Sequence, residues 1–301
     1  MTVTAERPMT TDHYPTRGER EPALLPRREP TVWGGVGGPL DADTLKHFDD
    51  AGYLTEEQLV SAEDVTRYSE ELDRLAMDPR CFADSRTVLD RDTQEVRSIF
   101  EVHKISEVFS ELAHDPRVVD RVRQILGSDV YVHQSRVNYK PGLTGKDFYW
   151  HSNFETWHAE DGMPQMRAVV VSIALTANHT YNGSLMVMPG SHQTFVSCVD
   201  DTSDDEHPKE SLFDHGTGTP DQESLKALAD RHGIEMLTGP AGGAAIFDSN
   251  AMHGSNSNIT PYPRSNVFIA YNSTENTLVD PYVATSPRPD FIAARDFTPV
   301  P

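Results

Sequence analysis

Asp129-Val130-Tyr131-Val132-His133-Gln134-Ser135-Arg136-Val137-Asn138-Tyr139-Lys140 is where this chain changes character. Polar and apolar residues alternate along it at period two, the repeat of an extended strand. Period two places Gln134, Arg136, Asn138 and Lys140 on one face. It places Tyr131, His133, Ser135, Val137 and Tyr139 on the other. A row of amides and cations is not core material, because buried polar groups require partners. The row is either a solvated face or the wall of a ligand pocket, and its place shortly before His151 favours the wall.

Working outward, residues 41–127 read as helical. Ser61-Ala62-Glu63-Asp64 resembles a capping box, with Val65, Tyr68, Leu72 and Leu75 following at helical spacing. Asp115-Pro116 supplies a cap followed by proline at the first helical position, and Gly127 stops that helix. Residues 1–40 are rich in Pro, Arg, Glu and Gly and read as an extended arm with little structure of its own. Beyond 129–140, short β-rich runs recur at 168–176, 184–188, 244–248 and 265–272, with turns such as Asn182-Gly183 and Pro189-Gly190 between them. Many short strands with such punctuation predict a mainly β sandwich or barrel with surrounding helices. Residues 200–233 interrupt the strands as an acidic insertion carrying a helix at Asp221–His232. The organisation expected is the arm (1–40) and a single domain (41–301), helical at 41–127 and β at 128–301.

The chemistry gathers at His151-Ser152-Asn153-Phe154-Glu155-Thr156-Trp157-His158. A His-x-carboxylate pair completed by a distant histidine holds non-haem iron with three coordination positions open. Here the carboxylate position carries an amide, Asn153. A second histidine, His253, follows the apolar run Ala244–Phe247 within Met252-His253-Gly254-Ser255, and Arg264 stands eleven residues further on. Arg264, Asn266 and Phe268 share one face of the last strand, and a guanidinium there suits a carboxylate ligand. His158 and His192 carry a weaker signal: His158 reads as supporting or surface, and His192 as part of the turn at Pro189-Gly190-Ser191.

Composition narrows the partners. The 301 residues include 26 Lys and Arg against 47 Asp and Glu, a formal net charge of -21 that repels phosphate backbones and anionic membranes. The longest apolar run, Ala168–Leu175, is far shorter than the ~20 residues of a membrane span. Cys81 and Cys198 lack the number for a disulfide framework and the spacing of a zinc site, and read as reduced thiols. The N-terminus has no apolar run of the kind a secretion signal requires, so a cytoplasmic protein is expected.

The run Tyr149–His158 with Glu160-Asp161-Gly162-Met163-Pro164 resembles the ectoine hydroxylases of the phytanoyl-CoA dioxygenase superfamily. So do Val132–Arg136, Asn182–Met186, Pro189–His192, Met252–Ser255, and Tyr14–Arg17 and Leu25–Arg27 of the arm. The resemblance implies a double-stranded β-helix (jelly roll, cupin-like) core. It also implies hydroxylation of ectoine to 5-hydroxyectoine with Fe(II), 2-oxoglutarate and O2, releasing succinate and CO2, in a cytoplasmic homodimer. By motif position it makes His151 and His253 iron ligands, with Asn153 in the place of an aspartate ligand. It assigns Asn138, Lys140, Ser172 and Arg264 to 2-oxoglutarate, and Gln134, Arg136, Thr156, Trp157, Phe247 and Asn266 to ectoine. A neutral amide in place of a carboxylate leaves the site one negative charge short, so lowered iron affinity and reduced activity are expected. Two alternatives stand beside this: a non-catalytic relative that binds ectoine or 2-oxoglutarate, and a hydroxylase of another small zwitterion such as a proline-like amino acid.

Overall fold

The computed structural model describes residues 11–18, 21–90, 92–199 and 218–301. The first part of the chain forms β1 (Ala23–Pro26), α1 (Ala42–Ala51), β2 (Tyr53–Glu56), α2 (Ala62–Met77), α3 (Pro79–Phe82), β3 (Thr87–Leu89) and β4 (Val96–Phe100). Then come α4 (Val102–Ile105), α5 (Glu107–Ala113) and α6 (Pro116–Leu126). The second part runs β5 (Val130–Lys140), β6 (Phe148–His151), α7 (Asn153–Thr156), a π-helical turn (Trp157–Asp161), β7 (Ala168–Ala174), β8 (Leu185–Val187) and β9 (Thr194–Ser197). It ends with α8 (Gln222–His232), β10 (Glu235–Leu237), β11 (Ala244–Asp248), β12 (His253–Ser255) and β13 (Arg264–Ser273).

Seven strands in the order β2-β11-β7-β13-β5-β4-β3 form a large antiparallel sheet, and β10-β8-β12-β6 form a smaller one. The two make the jelly roll. The outer face of the large sheet, including Val137, Val171, Ile246, Val267 and Ile269, packs on Phe48, Tyr68, Phe109 and Val122 of the helices. The inner face sets Val170, Phe247 and Phe268 against Leu185, Val187 and Leu237 from the smaller sheet side. The helix signals are realised locally: Ser61 and Asp64 close a full capping box on α2, while α6 starts on Asp115-Pro116 and stops at Gly127, whose φ is 61°. No helix among the described residues is long and apolar enough to cross a membrane.

Three expectations need correction. The stretch 41–127 is not purely helical: it gives β2, β3 and β4 to the edges of the large sheet. These strands are three to five residues long, too short for alternation to stand out. The arm is not without structure of its own: β1 pairs antiparallel with β9, and Tyr14 and Arg17 are buried. Period two also fails along part of β5. Ala270 pairs with Gln134 but Tyr271 pairs with Val132, so His133 is the extra residue of a β-bulge. Val130 and Val132 thereby turn to the helix side. Of the insertion, α8 lies against Met188, Val196 and Met252 through Leu225 and Leu228, while its acidic stretch at 200–217 is outside the described residues.

Candidate active site

His151 ends β6 and His253 opens β12, directly opposite in the antiparallel ladder, with ring centroids 4.2 Å apart. Each ring is oriented in the same way. His151 Nδ1 donates to the Tyr149 carbonyl at 2.7 Å, and His253 Nδ1 donates to the Ala251 carbonyl at 2.8 Å. These bonds fix the tautomer and leave each Nε2 lone pair for a metal. Burial drives the His151 pKa down to about 4, helped by the nearby Arg136 charge, and that of His253 well below its ordinary value. Both rings are therefore neutral, as ligation requires. Asn153 follows two residues after His151 as the first residue of α7. Its side chain, an uncharged amide, occupies the position where the sequence pattern puts a third donor. Among the described residues no group of three or more His, Cys, Asp or Glu side chains stands ready for a metal. Two nitrogens therefore fit iron well, and the third donor fits it weakly.

The larger sheet presents the polar row from the opposite side. Register places Arg136 beside Phe268 and Phe268 beside Ser172, with Asn138 beside Asn266 and Lys140 beside Arg264. All of these fall on one inner face. Lys140 is 3% exposed and donates to Ser255 Oγ and the Asn256 carbonyl at 2.7 and 2.6 Å. Burial, then repulsion from Arg264 and Arg97, drives its pKa down to about 6. Arg264 donates to the Gly183 carbonyl at 2.8 Å and to Asn178 Oδ1 at 3.2 Å, and burial lowers its pKa to about 10. Asn178, which accepts from Arg264, lines a cavity of about 170 Å3 together with Ser172, Asn266 and others. Arg136 has aromatic neighbours, with Phe268 and Phe100 ring centres 5.3 and 5.9 Å from its Cζ, and its buried Nε has no hydrogen-bond partner. Burial, then Arg288 and Arg97, lowers its pKa to about 10.

The remaining expected residues frame this space. Phe247 is buried with its ring 4.9 Å from His253. Trp157 is buried with its ring 4.7 Å from His133. Thr156 closes α7 immediately before it. Gln134 donates to the Ile292 carbonyl at 2.7 Å, Ser98 donates to Asn138 Oδ1 at 2.8 Å, and Asn266 donates to Ser172 Oγ at 2.9 Å. Asn266 Oδ1 is buried without a partner. His158 is no ligand: its ring stacks 3.9 Å from Tyr282 and its Nδ1 donates to the Met163 carbonyl. His192 is buried in its turn, against the Asp49 carbonyl.

Sequence reading missed the buried charges behind Thr156 and Trp157, where Arg17 of the arm meets Glu155 and Glu160. The usable signal was two glutamates five apart around Thr156-Trp157 beside an apolar wall, which demands a cation from elsewhere.

Residues 48–266 match the model of the family described as Phytanoyl-CoA dioxygenase (PhyH). The chain is 56% identical over 292 residues to the ectoine dioxygenase of Streptomyces coelicolor, covering 96% of this chain and 97% of that one. Among solved structures, EctD from S. alaskensis with 2-oxoglutarate and 5-hydroxyectoine superposes with a TM-score of 0.87 at 43% identity, over 96% of each chain. The same protein with bound Fe gives a TM-score of 0.85, over 94% of this chain and 95% of that one.

Proposed function

Because the chain belongs to the phytanoyl-CoA dioxygenase family, we propose that it hydroxylates ectoine to 5-hydroxyectoine with Fe(II), 2-oxoglutarate and O2, holding its iron less tightly than an aspartate at position 153 would allow. The observation that carries the reading is the charge on the inner face. Lys140 and Arg264 are buried and Arg136 is half-buried, and none of these three basic side chains has an ion-pair partner among the described residues. Unpaired buried charge is costly, which is why the Lys140 pKa falls to about 6 in the free protein, so such a face is built for anions that arrive with the ligands.

The three cations divide by position. Lys140 and Arg264 are cross-strand neighbours and take the distal carboxylate of 2-oxoglutarate, with Asn138 two residues along the strand and Ser172 further along the same face, opposite Phe268. Arg136 sits four residues nearer the bulge, among aromatic rings, and takes the carboxylate of ectoine. Trp157 and Phe247 wall the ectoine ring, and Gln134, Thr156 and Asn266 offer its polar contacts. His151, His253 and the Asn153 amide oxygen hold the metal. Iron bound there supplies the oxidising chemistry that converts a C–H bond to C–OH as 2-oxoglutarate becomes succinate and CO2. The protein's part is to fix the two organic ligands against each other and to keep water from the space between the sheets. A cytoplasmic homodimer is the expected form, supported by the resemblance.

The test compares this chain with Asn153→Asp in Fe(II) binding and in ectoine-dependent succinate formation. Tighter iron and faster turnover in the aspartate variant are expected. Equal values in the two proteins overturn the ligand assignment, and turnover of another zwitterion but not ectoine overturns the substrate.

A further inference from the structure

We infer that Arg17, carried by the N-terminal arm, is a positioning residue for the wall made by Thr156 and Trp157, acting through a buried knot of charges behind that wall. The inference rests on the proposed assignment of Thr156 and Trp157 to ectoine.

Arg17 is 1% exposed, and its backbone takes the left-handed region with φ 59°. A non-glycine residue rarely adopts that conformation, and it persists only where the surroundings enforce it. The surroundings do so here. The Arg17 N–H donates to the Cys198 carbonyl at 2.7 Å, next to the β1–β9 pairing. The guanidinium grips Glu155 through two parallel bonds, Nε to Oε1 at 3.0 Å and Nη2 to Oε2 at 2.9 Å. Its third nitrogen, Nη1, reaches Glu160 Oε1 at 2.7 Å. The Thr16 hydroxyl adds a further bond to Glu155 Oε1 at 2.7 Å. Burial works against the charge on Arg17, but Glu155 and then Glu160 more than offset it and hold the guanidinium above its ordinary range.

Glu155 directly precedes Thr156, and Glu160 follows Trp157 by three residues. One guanidinium thus staples both ends of the segment that carries the two wall residues. That segment is irregular: α7 passes straight into the π-helical turn, a rare geometry that is frequent at functional sites. A second cation braces its far end. Arg288 donates to both oxygens of Asp161 at 2.8 and 2.6 Å and lies 3.4 Å from Glu160 Oε2. Asp161 in turn stands 3.7 Å from Nε2 of His133, whose ring lies against Trp157. Backbone packs over the near end as well. A Cβ on Gly218 would meet Glu155 Oε2 at 2.6 Å and Thr156 Oγ1 at 3.1 Å.

Stability alone does not call for this arrangement. Apolar side chains of similar volume hold a segment down as well as a buried ion network, or better. What a planar, bidentate guanidinium adds is a fixed direction and distance for each carboxylate, and hence for the residues between them.

The experiment uses the full chain with Arg17→Lys, and with Arg17→Met combined with Glu155→Gln, so that Glu155 is not left as an unpaired buried carboxylate while Glu160 keeps Arg288. Thermal melting, the Kd for ectoine and the Kd for 2-oxoglutarate are measured for each. Acrylamide quenching of Trp157 is measured in a background where Trp33 and Trp150 are phenylalanine. The expected result is ectoine binding weakened about tenfold or more in the double variant, with 2-oxoglutarate within about twofold, and Trp157 more readily quenched. Arg17→Lys, a point charge unable to bracket both glutamates, is expected to fall between. Unchanged ectoine affinity in a folded variant overturns the inference. So does equal weakening of both ligands in step with a lowered melting temperature. If the unaltered chain binds no ectoine, the function proposal fails on its own, and Trp157 quenching then decides: unchanged quenching overturns the role of Arg17.

Discussion

His151 and His253 face each other across one antiparallel ladder, and each gives its Nδ1 proton to the carbonyl two residues before it. The repeated device presents two neutral nitrogens from one small sheet, and the weak point of the site is therefore the third donor. Replacing Asn153 by Asp adds the missing charge without changing side-chain size. Fe(II) affinity is expected to rise by roughly 10- to 100-fold, the scale on which changes around a metal act. Anaerobic titration against a competing chelator measures this, and an unchanged constant would remove Asn153 from the ligand set.

Lys140 makes 2-oxoglutarate binding a proton-uptake reaction. In the free protein its pKa is about 6, so at pH 7.5 most of it is neutral. A dianion beside it favours the ammonium form and lifts that value. Binding at pH 7.5 should therefore take up close to one proton, and affinity should fall as pH rises above 6 until the bound-state pKa is reached. Calorimetry in buffers of different ionisation enthalpy counts the protons. Lys140→Met should weaken binding and abolish the uptake together; loss of affinity with uptake intact would place the titrating group elsewhere.

How much of this was readable beforehand depends on the range over which each feature is encoded. The polar row of β5 and the Arg264–Phe268 face came from period two, because strand geometry repeats within a few residues. The capping box of α2 and the stop at Gly127 are equally local. The bulge at His133 left no mark, since one extra unpaired residue alters the facing of its neighbours without altering composition. The pairing of Arg17 with Glu155 spans 138 residues and is set by where β9 accepts the arm, which no window of sequence contains. The pairing of His151 with His253 was legible only from motif context, for the same reason.

Arg136 separates stability from function. A half-buried guanidinium with a buried, unsatisfied Nε and no ion pair among the described residues costs the free protein stability. Arg136→Met, which keeps much of the volume, should leave stability unchanged or raise it by about 1–3 kcal/mol. The same change should cut ectoine binding severely and spare 2-oxoglutarate, whose carboxylate pairs with Lys140 and Arg264. Denaturant unfolding beside two ligand titrations tests this. A large loss of stability would mean that Arg136 has a structural partner and is no anion receptor.

Two half-buried histidines set an acid limit on the metal-free protein. His103 and His151 both have pKa values driven down to about 4 by burial, against an ordinary value of 6.5. Between those values the unfolded chain binds the extra protons and the folded chain does not. Their contribution to stability is therefore complete above pH 6.5, declines as pH falls towards 4, and is flat below. Each histidine contributes a slope of up to about 1.4 kcal/mol per pH unit within that window. The buried carboxylates Glu155 and Asp161 sit below their ordinary values, despite the cost of burial, because Arg17 and Arg288 hold them ionised, so they do not obscure the upper part of the window. Urea midpoints from pH 7.5 to 5 should fall steadily, and His103→Gln should make the fall shallower without touching the metal pair. An identical slope in that variant would show that His103 titrates normally in the folded protein.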